Sequence, residues 1–177
     1  MENAATAVLA VEALREHGVD VSASQIERGL AGVRWPARLE VLRERPLLVV
    51  DGAHNAESVR RLREALAEEA PGRRAILVVG ASRDKDVDGM ASELAPVAKC
   101  VIATNSRHPR ALPAQAVAAG FAEQGVAVTV ISTVAEAVDA ALAGAEADDV
   151  ICVAGSLFVA AEARAYVLGI EEEVGVG

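Results

Sequence analysis

Asp51, His54 and Asn55 fall within five residues, in the run Val49-Val50-Asp51-Gly52-Ala53-His54-Asn55. A carboxylate, an imidazole and a carboxamide can bind a ligand's hydroxyls, amines or carboxylates, and a histidine can also move a proton. An apolar run, Leu47 to Val50, leads into them, and a helical pattern from Ala56 to Leu62 follows at once. The three polar residues therefore occupy the carboxyl end of a buried strand and the start of a helix. In open α/β sheets ligands bind in the crevice beyond strand ends, and a helix start favours anions. A structural role is the alternative. Asp51 could cap the helix or pair with an arginine, and His54 could be a hydrogen-bonded loop residue.

The elements that must hold these residues follow from the hydrophobic pattern. Short apolar runs predict strands at Leu47–Val50, Ala75–Val79, Cys100–Ala103, Ala127–Ile131 and Val150–Val153. Continuous apolar strands are expected of parallel sheets covered on both faces. Helical periodicity predicts Ala56–Ala70, Val87–Leu94, Pro113–Gln124, Val134–Ala143 and Leu157–Val167 between and after them. Together they describe a Rossmann-like α/β three-layer sandwich around a mostly parallel sheet. Ahead of it, Ala4–His17 reads as a helix stopped by Gly18. A second helix carries Ile26, Leu30 and Ala31 and is capped by Ser22 or Ser24. Trp35-Pro36-Ala37-Arg38 reads as a turn, and an alternating strand follows with Leu39 in, Glu40 out and Val41 in. Residues 169–177 read as a frayed tail.

All strand carboxyl ends share one edge of a parallel sheet. The loops there carry Ser82, Asp84 and Lys85 after the second strand, His108 and Arg110 after the third, and Gly155-Ser156 after the fifth. Asp84-Lys85-Asp86-Val87-Asp88-Gly89 imitates a calcium loop, but position twelve is Ala95 where a bidentate glutamate is needed. Asp86 is better read as a helix cap. Gly155-Ser156 lacks the G-x-S-x-G of a nucleophile elbow and reads as a capped helix start. Neither G-x-G-x-x-G nor G-x-x-x-x-G-K-[ST] occurs, so neither phosphate-binding loop is present.

Composition narrows the function classes. A net charge of −9 with 2% aromatics argues against nucleic-acid binding. No apolar run is long enough for a membrane span, and no basic leader opens the chain. Cys100 and Cys152 lie in apolar runs and read as reduced thiols, which suits a cytoplasmic protein.

A series of motifs then comes into view: Trp35-Pro-Ala-Arg38-Leu-Glu-Val, Asp51-Gly-Ala-His-Asn55, Asp84-Lys-Asp86-Val-Asp-Gly-Met90, Pro109-Arg110-Ala-Leu-Pro113 and Ala154-Gly-Ser-Leu157. In this order the series resembles the C-terminal part of folylpolyglutamate synthase and dihydrofolate synthase, in the Mur ligase superfamily. The resemblance runs to about Tyr166. It implies residues 1–34 as a helical tail of the preceding ligase domain and residues 35–168 as a Mur-type C-terminal domain. It also implies an ATP-dependent ligase that adds glutamate to folate or to dihydropteroate through an acyl phosphate. The P-loop domain of the same polypeptide, which holds the ATP phosphates and magnesium, is absent here. By resemblance, Asn3 contacts adenine, Arg38 the ATP phosphates, Asp51 the ribose side and His54 the glutamate site. Asn55, Ser82, Asp84, Lys85, Arg110 and Ser156 form the edge of that site. No residue of this chain is catalytic by itself. Ala37 stands where the family usually has glycine, so a positive φ there would threaten the placement of Arg38. The Met-Glu-Asn start inside a helical pattern suggests a domain excised from a longer protein. The rival readings are a non-catalytic α/β interaction module and, more weakly, a stand-alone hydrolase built on Asp51 and His54.

Overall fold

The computed structural model describes the backbone of residues 2–170 and the side chains of residues 4–170. The described chain divides into two compact units, residues 1–35 and 36–177.

The first unit is a helical pair, α1 (Glu2–Glu16) and α2 (Ala23–Ala31). Ser22 caps α2 in a capping box with Gln25. Ile26 is half-buried, but Leu30 is exposed, and no side chain of α2 is fully buried. Leu9 of α1 is 65% exposed. An apolar groove of about 270 Å³ runs between the helices, lined by Val8, Val11, Leu14, Val21, Ile26 and Leu30 among others.

Among the described residues the second unit is built on six strands: β1 (Glu40–Glu44), β2 (Leu47–Val50), β3 (Ala75–Val79), β4 (Ala98–Ala103), β5 (Val128–Val130) and β6 (Val150–Ala154). Their order in the sheet is β1-β2-β6-β3-β4-β5. Only β1 is antiparallel, a hairpin partner of β2 at the edge. The helices are α3 (Ala56–Glu69), α4 (Val87–Leu94), α5 (Ala114–Glu123), α6 (Val134–Gly144) and α7 (Leu157–Leu168). A 3-10 turn, Ala95–Val97, was not foreseen from the sequence.

Alternation along the buried strands supplies two cores. Val49, Leu77, Val79 and Cys152 face α3, α4 and α5 through Val59, Leu62, Met90, Leu94, Val117 and Phe121. Leu48, Val50, Ile76, Val78, Ile151 and Val153 face α6 and α7 through Val134, Val138, Val159 and Ala163. The result is the expected α/β three-layer sandwich. β6 sends the chain to one face through α7, while its neighbours β2 and β3 send it to the other through α3 and α4. Crevices at carboxyl ends form at such reversals.

The edge strand corrects the sequence reading. Val41 is 49% exposed, while Glu40 turns partly inward. The expected alternation fails because Ala37 and Leu39 take positive φ (56° and 42°), and a register shift follows between Val41 and Arg43. These breaks rotate the side-chain pattern by one residue.

Two glycines allow the carboxyl edge to close. Gly155 has φ +92°, and a Cβ there would collide with the Gly80 carbonyl. A Cβ on Gly80 would lie 2.7 Å from the Thr104 carbonyl oxygen. Gly155 N–H donates to Ala53 O at 2.8 Å, joining the loops after β6 and β2.

The cysteines cannot bridge. Cys152 belongs to the core under α3–α5, whereas Cys100 packs against the core under α6 and α7, and β3 separates their strands. Burial pushes the Cys152 thiol up to about 12. Native protein is expected to alkylate at half-buried Cys100 long before Cys152, with Cys152 reacting only on unfolding; peptide mass mapping of a time course reads this. Gly155→Ala is expected to cost about 2 kcal/mol or more, measured by denaturant unfolding.

Candidate functional site

The site assembles around the carboxylate of Asp51, which is 9% exposed. Oδ1 accepts the Ala53 N–H at 2.8 Å, and Oδ2 accepts the Leu39 N–H at 2.7 Å. The cap of α3 is Asn55, and the Asp51 carboxylate instead accepts backbone N–H groups. It ties the loop after β2 to the turn that precedes β1. Gly52 N–H adds a second link, donating to Ala37 O at 2.8 Å. Arg38 sits between the two pinned residues and is exposed. Ala37 adopts the left-handed conformation that glycine takes more easily, and the turn still closes.

Glu40 completes the turn from below. Its Oε2 accepts the Ala37 N–H at 2.8 Å, and Arg164 Nε on α7 donates to both carboxylate oxygens at 3.0 and 2.8 Å. Burial opposes the charge of Glu40. The Arg164 hydrogen bond, the Ala37 N–H and the Arg164 charge outweigh it and hold the carboxyl below the usual 4.5.

His54 is fixed by its own loop. Its Nδ1 lies 2.8 Å from Gly52 O. A carbonyl only accepts, so Nδ1 carries a proton and the neutral ring keeps Nε2 as an acceptor. Its backbone N–H donates to Ser58 Oγ. Asn55 is the cap of α3: its Oδ1 accepts the Ser58 N–H at 2.8 Å, in a reciprocal box. Ser156 caps α7, accepting the Phe158 N–H, and is buried.

The loops after β3 and β4 form a second group. Ser82 pairs with Ala111 in an antiparallel bridge, and Arg83 N–H donates to Arg110 O at 2.9 Å. Ser82 is buried. Lys85 Nζ lies 3.2 Å from Asp84 Oδ2. That hydrogen bond, with the Lys85 and Arg110 charges behind it, lowers the Asp84 pKa. Asp86 caps α4 through Gly89 N–H, as expected. His108 stacks on Phe158 with centroids 3.7 Å apart and accepts the Arg110 N–H at Nδ1.

Nine of the ten sequence-predicted residues thus lie in or beside loops of one sheet edge. Arg38, Asp51, His54, Asn55 and Ser156 are joined through backbone hydrogen bonds. Ser82, Asp84, Lys85 and Arg110 lie beyond β6. The side chain of Asn3 lies outside the described residues. A groove of about 820 Å³ between the β4 and β5 loops, lined by Ser106, Thr133 and Glu162 among others, contains none of them. Among the described residues no three His, Cys, Asp or Glu side chains cluster as a metal site, so the residues do not fit a magnesium centre of their own. Nor is any helix among them long and apolar enough to cross a membrane. Glu40 and Arg164 are the residues that sequence reasoning missed. They lie 124 positions apart, and no residue pattern announces the pair.

The family model described as "Mur ligase, glutamate ligase domain" matches residues 37–157. The chain belongs to that family. Relatives similar to it include folylpolyglutamate and dihydrofolate synthases. A probable bifunctional folylpolyglutamate synthase/dihydropteroate synthase of Halobacterium salinarum is 43% identical over 92% of this chain and 19% of its own length. The solved Mycobacterium tuberculosis folylpolyglutamate synthase complexed with ADP and AMPPCP superposes with TM-score 0.75 at 30% identity, covering 89% of this chain and 37% of that one. A bifunctional folylpolyglutamate synthase/dihydrofolate synthase with Mn, AMPPNP and L-glutamate bound gives TM-score 0.76 at 29% identity, covering 91% and 38%. The chain therefore spans well under half the length of these ligases.

Removing the Asp51 anchor strands two backbone donors. Asp51→Asn is expected to cost about 1–3 kcal/mol, and Asp51→Ala at least as much, read by urea unfolding. The lowered Glu40 pKa gives a pH dependence of known sign. Its stabilising contribution is complete above the unfolded value near 4.5 and is lost as pH falls through the lower folded value. The pair is partly exposed, so the fall in melting temperature below that pH should be small, and Glu40→Gln should remove it.

Proposed function

We propose that this chain is the nucleotide- and glutamate-facing lid of an ATP-dependent ligase that adds glutamate to folate or to dihydropteroate. The observation that carries the reading is the pinned turn at residues 36–39. It presents Arg38 beside the Asp51–His54 loop, in a chain of this ligase family.

In the proposed reaction the substrate carboxylate attacks the γ-phosphorus of ATP, giving an acyl phosphate and ADP. The glutamate amine then attacks the acyl carbon, phosphate leaves, and the amine gives up a proton as the amide forms. Arg38 donates to phosphoryl oxygens as charge gathers on them. Asp51 has lone pairs beyond the two that hold backbone N–H groups, and these accept ribose hydroxyls. His54 keeps Nε2 toward glutamate. Asn55, Ser82, Asp84, Lys85, Arg110 and Ser156 form the rim, where Lys85 and Arg110 offer charge to carboxylates. Asn3 reaches adenine. Magnesium and the phosphate loop belong to a P-loop domain of the same polypeptide, so this lid works only when joined to one. Residues 1–34 act as the helical tail of that preceding domain and 35–168 as the lid proper. The exposed apolar side chains of α1 support an attachment of this kind. A cytoplasmic setting suits both the ATP requirement and the reduced thiols.

The test is ATP-dependent glutamate addition, followed as radiolabelled glutamate incorporation. The chain alone should give none, and the polypeptide with its P-loop domain should be active. There Arg38→Ala should lower kcat/KM about a hundredfold or more. Measurable turnover by the chain alone would overturn the reading.

A further inference from the structure

Arg38 occupies an unfavourable stretch of backbone. Both neighbours have positive φ without being glycine, which costs each roughly 1 kcal/mol or more. Something must hold them there, and three hydrogen bonds do. Two come from Asp51 and Gly52 in the adjacent loop, which fix Leu39 N–H and Ala37 O. A third joins Ala37 N–H to Glu40. Glu40 would be free to rotate on an exposed edge strand, but Arg164 Nε holds both of its oxygens. Arg164 stands on α7, which begins at Ser156 on the same site edge. α7, against whose core Ala37 is buried, thus also grips the turn through one ion pair.

We propose that Glu40 and Arg164 are positioning residues for Arg38: their pair fixes the Ala37 N–H and so holds the turn that aims the guanidinium. The inference rests on Arg38 acting at phosphate, as proposed above. The pair is accessible to solvent, with side chains 25% and 27% exposed, so it contributes little to global stability. Its effect is local, on the one segment whose backbone needs restraint. Lysine at 164 preserves the charge partner and should keep most of the function. Methionine fills a similar volume without charge and should not.

Two measurements test this. In the 177-residue chain, NMR order parameters at Ala37, Arg38 and Leu39 should drop from about 0.85 toward 0.6 in Arg164→Met and in Glu40→Gln. They should stay high in Arg164→Lys. In the ligase polypeptide that carries this domain, Arg164→Met should lower kcat about tenfold with little change in melting temperature, and Arg164→Lys should restore it. Placed in an Arg38→Ala background, Arg164→Met should have no further effect, because both act through one group. Unchanged order parameters in Arg164→Met, or an equal kcat loss with and without Arg38, would overturn the inference. A loosened turn together with an Arg38→Ala ligase of full activity would overturn the phosphate role of Arg38 and leave the positioning of the turn standing.

Discussion

The Asp51 carboxylate accepting two backbone N–H groups is the constraint on which the site depends. One of its oxygens shapes its own loop, and the other reaches twelve residues back to Leu39. A buried carboxylate so placed has no cheaper arrangement, because each stranded N–H or unpaired oxygen costs free energy in a low dielectric. Through this contact the antiparallel hairpin at the sheet edge joins the parallel sheet's chemistry-bearing end. Arg38 and His54 come to lie at one sheet edge because the residues flanking Arg38 are tied to the loop that carries His54.

The rest of the edge is arranged to let that loop lie flat. Gly155 lies against the Gly80 carbonyl only because it has no Cβ, and Gly80 approaches Thr104 for the same reason. The helix starts are self-sufficient: Asn55, Asp86 and Ser156 satisfy N–H groups at the ends of α3, α4 and α7. Residues that looked like candidates for chemistry thus have structural partners as well. His54 differs, since its partner at Nδ1 leaves Nε2 as an acceptor in the neutral ring.

Much of this was legible in the sequence. The inner parallel strands β2, β3 and β6 read clearly because burial on both faces makes them continuous apolar runs, whereas the edge strand β5 is shorter than its apolar run and largely exposed; nine candidate residues fell in or beside loops of one edge. β1 was legible as a strand but not in its phase. The period-two rule presumes extended backbone, and Ala37 and Leu39 leave that region before the strand begins. The partners of Asp51 are backbone groups, which residue types do not encode. Arg164 meets Glu40 across 124 residues, a distance that only the folded topology closes. The family resemblance located Arg38, but it carried no account of what holds Arg38 in place.

The account's central claim is that the pinned turn delivers Arg38 to nucleotide phosphate while His54 faces the incoming amino acid. The most direct measurement is a crystal structure of this domain joined to its P-loop domain, with a non-hydrolysable ATP analogue and glutamate. The account predicts an Arg38 guanidinium nitrogen about 2.7–3.1 Å from a phosphate oxygen, with His54 Nε2 turned to glutamate. Phosphates bound with Arg38 directed away from them, and the turn at residues 36–39 unchanged, would contradict it.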